Sequence, residues 1–199
     1  MNFFISDLHF GHENCLMFDD RPFTDIDEHD TELIRRWNDV VGPEDDVYIL
    51  GDISWKNTTA TINIMNMLNG NKHLIPGNHD HRYLKSLEFR KCFVEICDYK
   101  ELYLDKDKSI VLCHFPIFSY RNLFRGWIHL YGHVHKSFDW NMMEHHKRLM
   151  KELYSKDDKR LPEDVFNAFN VGCMIDYMDY TPRTLEEILE ANDCHACDK

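Results

Sequence analysis

Short apolar runs alternate with amphipathic segments through the first half of the chain. Residues 2–6 form a compact apolar run that ends at Asp7. Leu33, Ile34, Trp37, Val40 and Val41 then recur at helical spacing, and Gly42-Pro43 stops that helix. Val47-Tyr48-Ile49-Leu50 makes a second run, closed by Gly51-Asp52. Ile62, Met65 and Leu68 mark a second helix that ends at Asn69-Gly70. His73-Leu74-Ile75 is a third run, ending at Pro76-Gly77-Asn78-His79. Runs this short, bounded by glycine and proline, fit buried strands. Strand alternating with helix predicts a parallel sheet with crossover helices.

The second half reads differently. Residues 92–99 and 101–104 predict neighbouring strands, and Asp105-Lys106-Asp107-Lys108 is a polar turn leading into a strand over 109–113. Residues 127–131 predict another strand, and 168–171 the last, or part of a final hairpin running to Ile175. This half is expected to be more antiparallel. Thr184-Leu185-Glu186-Glu187 has the form of a capping box and opens a helix over 185–189. Residues 136–164 are rich in charge and methionine, with a helix expected near 142–153 and a polar run over 155–160. They read as an insertion on a single domain covering residues 1–199. Because the insertion follows His135 directly, it is expected to form a flap or a subunit contact beside the site.

Composition narrows the class. A chain of 199 residues can bury a sizeable core without disulfides. Its 23 basic and 35 acidic residues leave a net charge of −12, which argues against binding duplex nucleic acid or anionic lipid. No apolar run approaches the roughly 18 residues of a membrane span, and the N-terminus lacks the basic and apolar regions of a signal peptide. Seven scattered cysteines fit reduced, buried thiols better than a disulfide framework, so a cytoplasmic location is expected. The unusual count is 13 histidines, more than the 8 glycines or the 6 prolines.

Polar residues gather at the ends of the apolar runs: Asp7-Leu8-His9, Gly51-Asp52, Gly77-Asn78-His79-Asp80, His114, and Gly132-His133-Val134-His135. The C-terminal ends of parallel strands lie along one edge, where ligands usually bind. In extended backbone, residues i and i+2 face the same side, so Asp7 with His9, and His133 with His135, can each point at one place. Imidazole suits transition ions and carboxylate suits harder ones. Two divalent ions beside Asp7 and Asp52 would make a local anion receptor on an acidic protein, able to clamp a phosphoryl group and acidify a bound water.

These five elements, in this order and spacing, resemble the motif set of the calcineurin-like metallophosphoesterases. The set runs from Met1 to His135. Asn170-Val171-Gly172 resembles the strand that closes the sheet in small bacterial and phage members, and His9-Phe10-Gly11-His12 with Asp20-Arg21-Pro22 resembles the same subgroup. The resemblance implies an α/β fold, a four-layer α/β/β/α sandwich of two mixed sheets. It implies one metal held by Asp7, His9, Asp52 and His135, and a second held by Asp52, Asn78, His114 and His133, with Asp52 bridging. The residues themselves do not assign ligands to individual metals. A hydroxide between the metals would attack phosphorus in line. His79 resembles the family's non-ligand histidine, which contacts a phosphate oxygen or protonates the leaving group. Asp80 resembles the acid that orients that imidazole.

Weaker candidates surround this set. His12 could touch substrate or support a ligand. Arg82, and less so Arg121 and Arg125, could contact phosphate. Cys194-His195-Ala196-Cys197 contains one CxxC, without the second pair that a structural zinc site needs. The favoured function is a two-metal phosphodiesterase on small, nucleotide-like substrates, with manganese the expected ion and iron, zinc or nickel as alternatives. A phosphomonoesterase of small phosphorylated metabolites is the close alternative. Family members acting on protein phosphates often carry Glu where Asp80 stands, which disfavours a protein phosphatase. A non-catalytic scaffold of the same fold, or a metal sensor, are the other classes; a scaffold would not need every ligand. Oligomeric state is left open.

Overall fold

The computed structural model describes residues 1–104, 109–157 and 166–194. Nine strands and six α-helices follow in the order β1 (Asn2–Ile5), α1 (Glu13–Phe18), α2 (Ile26–Val40), β2 (Asp46–Ile49), α3 (Thr58–Met67), β3 (Asn71–Leu74), α4 (Leu87–Arg90), β4 (Glu95–Ile96), β5 (Lys100–Tyr103), β6 (Ser109–Leu112), β7 (Ile128–Tyr131), α5 (Phe138–Asp157), β8 (Asn167–Asn170), β9 (Arg183–Thr184) and α6 (Leu185–Cys194) among the described residues. They build two mixed sheets, ordered β4-β3-β2-β1-β9 and β5-β6-β7-β8.

The first sheet follows the expected logic. β1 pairs in parallel with β2 (Phe3 opposite Val47), and β2 with β3 (Tyr48 opposite His73). Helix α2 begins well before its apolar stripe. Asp25 caps it by accepting from the amides of Asp27 (3.0 Å) and Glu28 (2.9 Å). The buried residues of its first half are His29 and Asp30, so apolar periodicity could mark only the second half. At the other end, the Thr184 capping box forms in both directions: Thr184 N–H donates to Glu187 (2.8 Å) and Glu187 N–H to Thr184 Oγ1 (3.3 Å).

The second half corrects three expectations. Residues 92–99 and 101–104 do not contribute neighbouring strands. β4 joins β3 in the first sheet, and β5 joins β6 in the second, so the chain changes sheets between them. In the second sheet only the β5–β6 pair is antiparallel, while β6, β7 and β8 run parallel; β9 adds an antiparallel edge to β1 in the first sheet. No hairpin forms after β8 among the described residues. Ser6 N–H instead donates to Val171 O (2.8 Å) and Cys173 N–H to Ser6 O (2.9 Å), stitching the two sheets together at the end of β1. Two-residue strands carry too little periodicity to reveal their partners, and tertiary packing chose them. The expected turn at 105–108, most of the polar run at 155–160 and the CxxC cysteine Cys197 lie outside the described residues.

The core lies between the sheets. Ile5, Val47 and Ile49 from the first, and Ile110, Leu112, Ile128 and Leu130 from the second, belong to one buried cluster. On the outer face of β7 and β8, Tyr131, Val134 and Ala168 pack with Trp140 of α5. Met143 of α5 is also buried. The helix of the 136–164 segment is thus a packed layer whose first turn meets the site.

Candidate metal centre

The sheets bring five strand-end segments to one cleft of about 490 Å³, lined by His9, His12, Asp52, Asn78, His79 and His133 together with Phe18, Asp19 and residues 134–137 and 139. Two groups of side chains face each other within it. Asp7, His9 and His135 offer ligand atoms that all lie within 4.8 Å of one another, and so do those of Asp52, His114 and His133. Asp52 Oδ2 lies 3.9 Å from His9 Nε2 and 3.7 Å from His114 Nε2, so one carboxylate borders both groups. Asn78 Oδ1 is 3.2 Å from His114 Nε2.

The backbone is bent to make this possible. Asp7, His9, Asp52, His133 and His135 all have φ between 46° and 70°, in the left-handed region that side-chain-bearing residues seldom enter. Each costs on the order of 1 kcal/mol or more, and such strain collects where surrounding structure imposes it for a function. Main chain also passes close to the carboxylates. A Cβ at Gly132 would sit 2.6 Å from Asp7 Oδ2, and one at Gly77 would sit 2.7 Å from Asp52 N. Neither position has room for a side chain.

Hydrogen bonds set the tautomers. His114 Nδ1 meets Leu50 O at 2.6 Å, and a carbonyl can only accept, so Nδ1 carries the hydrogen and Nε2 presents its lone pair. His135 Nδ1 meets both oxygens of Asp19, at 2.8 and 3.0 Å, with the same consequence. His9 Nε2 and His135 Nε2 face each other at 3.3 Å, while His9 Nδ1 is buried without a partner. Burial, then the nearby charge of Arg21, keeps the His9 pKa well below the ordinary histidine value. Burial raises the Asp52 carboxyl, opposed by His114 and reinforced by the negative charge of Asp7. A cation held among Asp7, His9 and His135 would satisfy both facing nitrogens and offset the charge that Asp7 places beside Asp52. Imidazole and carboxylate at each group, with the Asn78 amide oxygen added beside His114, fit divalent transition ions.

The other expected residues take varied places. His79 sits at the mouth, its side chain 39% exposed and its Nε2 3.9 Å from Asp52 Oδ2. His12 lines the cleft and stacks on Trp55, ring centroids 4.0 Å apart. Asp80 corrects the resemblance. Its carboxylate is fully buried and accepts from the amides of Asp52 (2.8 Å), Ile53 (3.0 Å) and Gly77 (2.8 Å), not from the His79 ring. Burial pushes its pKa up to about 6 in spite of those three donors. It positions the strand ends rather than the imidazole. Arg82 also turns from the cleft: its Nη2 donates to Ser54 O (2.9 Å) and meets Tyr83 Oη (2.6 Å). Arg121 pairs with Glu101 at 2.7 Å. Sequence reading missed Asp19, which touches His135, and Trp55, which packs on His12 and His79. The signal for Asp19 was an acid beside the Asp20-Arg21-Pro22 motif, directly after α1.

Comparison with known proteins agrees with this geometry. The family model of calcineurin-like phosphoesterases matches residues 3–197, and the chain belongs to that family. It is 36% identical over 137 residues to an uncharacterized protein, MJ1445, of Methanocaldococcus jannaschii, covering 67% of this chain and 68% of that one. It is 34% identical over 156 residues to the Gene 66 protein of Mycobacterium phage D29, covering 66% of this chain and 77% of that one. A crystal structure of a protein of unknown function, AQ665, from Aquifex aeolicus shares the fold. It has a TM-score of 0.59 and 24% identity, covering 96% of this chain and 98% of that one.

Proposed function

We propose that the chain is a hydrolase of small phosphate diesters that uses two divalent metal ions, manganese first among the candidates. The observation that carries this reading is the pair of three-residue donor groups bordered by one carboxylate, Asp52. When bound, such ions supply Lewis-acid stabilisation of a phosphoryl group and acidify a water. Asp7, His9 and His135 would hold one ion, and Asn78, His114 and His133 the other, with Asp52 shared. His79, at the mouth, is placed to donate a proton or a hydrogen bond to the leaving oxygen.

Charge at the rim favours a diester. Arg82 and Arg121 are occupied elsewhere, and Arg21 is buried. Lys136 is the one lysine or arginine among the lining residues, and it is paired with Asp176. A monoester dianion calls for more positive charge than this, whereas a diester carries a single negative charge. Nucleotide-like diesters fit the aromatic rings at the rim, Phe18 and Trp55. We read residues 1–199 as one catalytic domain with 136–164 inserted. Five free cysteines among the described residues suit a reducing, cytoplasmic setting. No described helix is long and apolar enough to cross a membrane.

The test is Mn²⁺-dependent hydrolysis of bis-p-nitrophenyl phosphate beside p-nitrophenyl phosphate, with Asp52→Asn as control. Faster diester turnover that vanishes in the control is expected. Faster monoester turnover would replace the diester reading with the monoester alternative. Full metal occupancy with no turnover of either substrate would favour a sensor.

A further inference from the structure

The Asp20-Arg21-Pro22 motif plays no part in the chemistry above, yet Arg21 is one of the most thoroughly engaged side chains in the protein. It is 4% exposed. Its Nε donates to Asp19 Oδ2 at 3.0 Å, and its Nη2 donates to the same oxygen at 2.8 Å. Nη2 also donates to Asp7 O at 3.0 Å, and Nη1 to Leu8 O at 3.1 Å. Nη1 meets His29 Nε2 at 2.9 Å. Since the guanidinium only donates, His29 Nε2 accepts, and His29 Nδ1 donates to Asp30 Oδ1 at 2.9 Å. Asp30 Oδ1 accepts in turn from Gly11 N–H at 3.0 Å, two residues beyond His9.

These bonds converge on one of the two donor groups. Asp19 holds the ring of His135. The Asp7 and Leu8 carbonyls that Arg21 grips belong to the left-handed bend that carries Asp7 and His9. No counterpart of this buried guanidinium network touches Asp52, His114 or His133 among the described residues; their supports are the Leu50 carbonyl on His114, the Asp80 carboxylate on the Asp52 amide, the His79 amide on Asp52 Oδ1 and the Asp7 carboxylate on the His133 amide. We propose that Asp19 and Arg21 are positioning residues that set the affinity of the Asp7–His9–His135 site for its metal ion, independently of the other site. This rests on the reading of those three residues as metal ligands. The physical reason is twofold. A carboxylate on Nδ1 fixes the ring and makes Nε2 a better donor, and such partners are worth about 10–100-fold in metal affinity. A rigid, planar guanidinium that closes on Asp19 Oδ2 with two N–H groups and on the Asp7 and Leu8 carbonyls fixes where that carboxylate stands relative to the backbone of the other two ligands.

The experiment is a Mn²⁺ titration of the full-length, chelator-stripped protein, followed by calorimetry and by the electron paramagnetic resonance of free Mn²⁺. It compares wild type, Asp19→Asn and Arg21→Lys. Wild type is expected to take up two ions. In Asp19→Asn one ion should weaken by about 10–100-fold while the other keeps its affinity. The Mn²⁺ concentration for half-maximal hydrolysis should rise in step, and kcat at saturating Mn²⁺ should return to within about threefold of wild type. Arg21→Lys keeps the buried positive charge but loses the planar guanidinium, and it decides the matter by the same readouts if Asp19→Asn does not fold. Two ions bound with wild-type affinity would overturn the proposal. So would equal weakening of both, which marks a general loss of structure. Wild type that binds no Mn²⁺ would instead overturn the metal reading beneath it.

Discussion

The two donor groups share a border at Asp52 but are braced by different parts of the chain. Around Asp7, His9 and His135 the support is side chain: Asp19 on the ring of His135, and Arg21 behind it. Around Asp52 and His114 the support is one main-chain carbonyl and one side chain that gathers main-chain amides. The Leu50 carbonyl holds His114, and the amides of Asp52, Ile53 and Gly77 close on the single carboxylate of Asp80. Main-chain support comes with the strand ends of the fold. Side-chain support can be removed one residue at a time while the strands stay paired. Removing Asp19 therefore frees a ligand ring and leaves the strand ends tied, whereas removing Asp80 would untie the amides of Asp52, Ile53 and Gly77 themselves.

Asp52→Asn should erase the distinction, because it removes the one carboxylate both groups border. Hydrolysis should be lost, and both ions should weaken beyond the roughly 10–100-fold expected when only a supporting residue is removed. Calorimetry on the stripped protein checks this, and full activity at metal saturation would refute the shared assignment. His79→Ala should leave both groups intact. The His79 amide donates to Asp52 Oδ1 at 3.0 Å, and alanine keeps that bond. Turnover should fall by about 10²–10⁴, the range for one general acid, with two ions still bound. Loss of an ion would make His79 a ligand.

A histidine outside both groups supplies the smallest test. His129 of β7 is fully buried, its Nδ1 3.1 Å from Val111 O and its Nε2 accepting from Ile117 N–H at 3.1 Å. Burial lowers its pKa to about 4, against backbone hydrogen bonds to Val111 and Phe115. The unfolded chain takes up this proton near pH 6.5, the folded chain only near pH 4. The stability that depends on the neutral ring is therefore fully present above about pH 6.5 and is lost as pH falls towards 4. The gap amounts to about 3 kcal/mol at 1.36 kcal/mol per pH unit. Urea unfolding of stripped protein at pH 7 and pH 4 should show His129→Gln to be less pH-dependent than wild type by about that amount. Equal dependence would mean that the cost of protonating His129 has been relieved by rearrangement.

Where sequence reading worked, the signal was local. Three short apolar runs ending in Asp7, Asp52 and Asn78 became three parallel strands, because a run of that length between glycines has few other ways to bury itself. The Thr184 capping box formed because its partners lie within one turn. Where reading failed, the deciding partner was distant in sequence. β4 and β5 adjoin in the chain yet joined different sheets. Asp80 followed His79 but bonded to the amides of Asp52 and Ile53, some 27 residues away.

The sequence alone determined the kinds of donor available, their order, and their arrival at strand ends, since these follow from residue chemistry and the reach of short strands. Tertiary structure decided which oxygens and nitrogens meet. It sent Arg82 to Ser54 and Arg21 beneath Asp7, and it set Asp19 on His135 across 116 residues. The orientation of a buried polar side chain depends on which partner the packed chain places within about 3 Å of it, and periodicity along the chain carries no record of that distance.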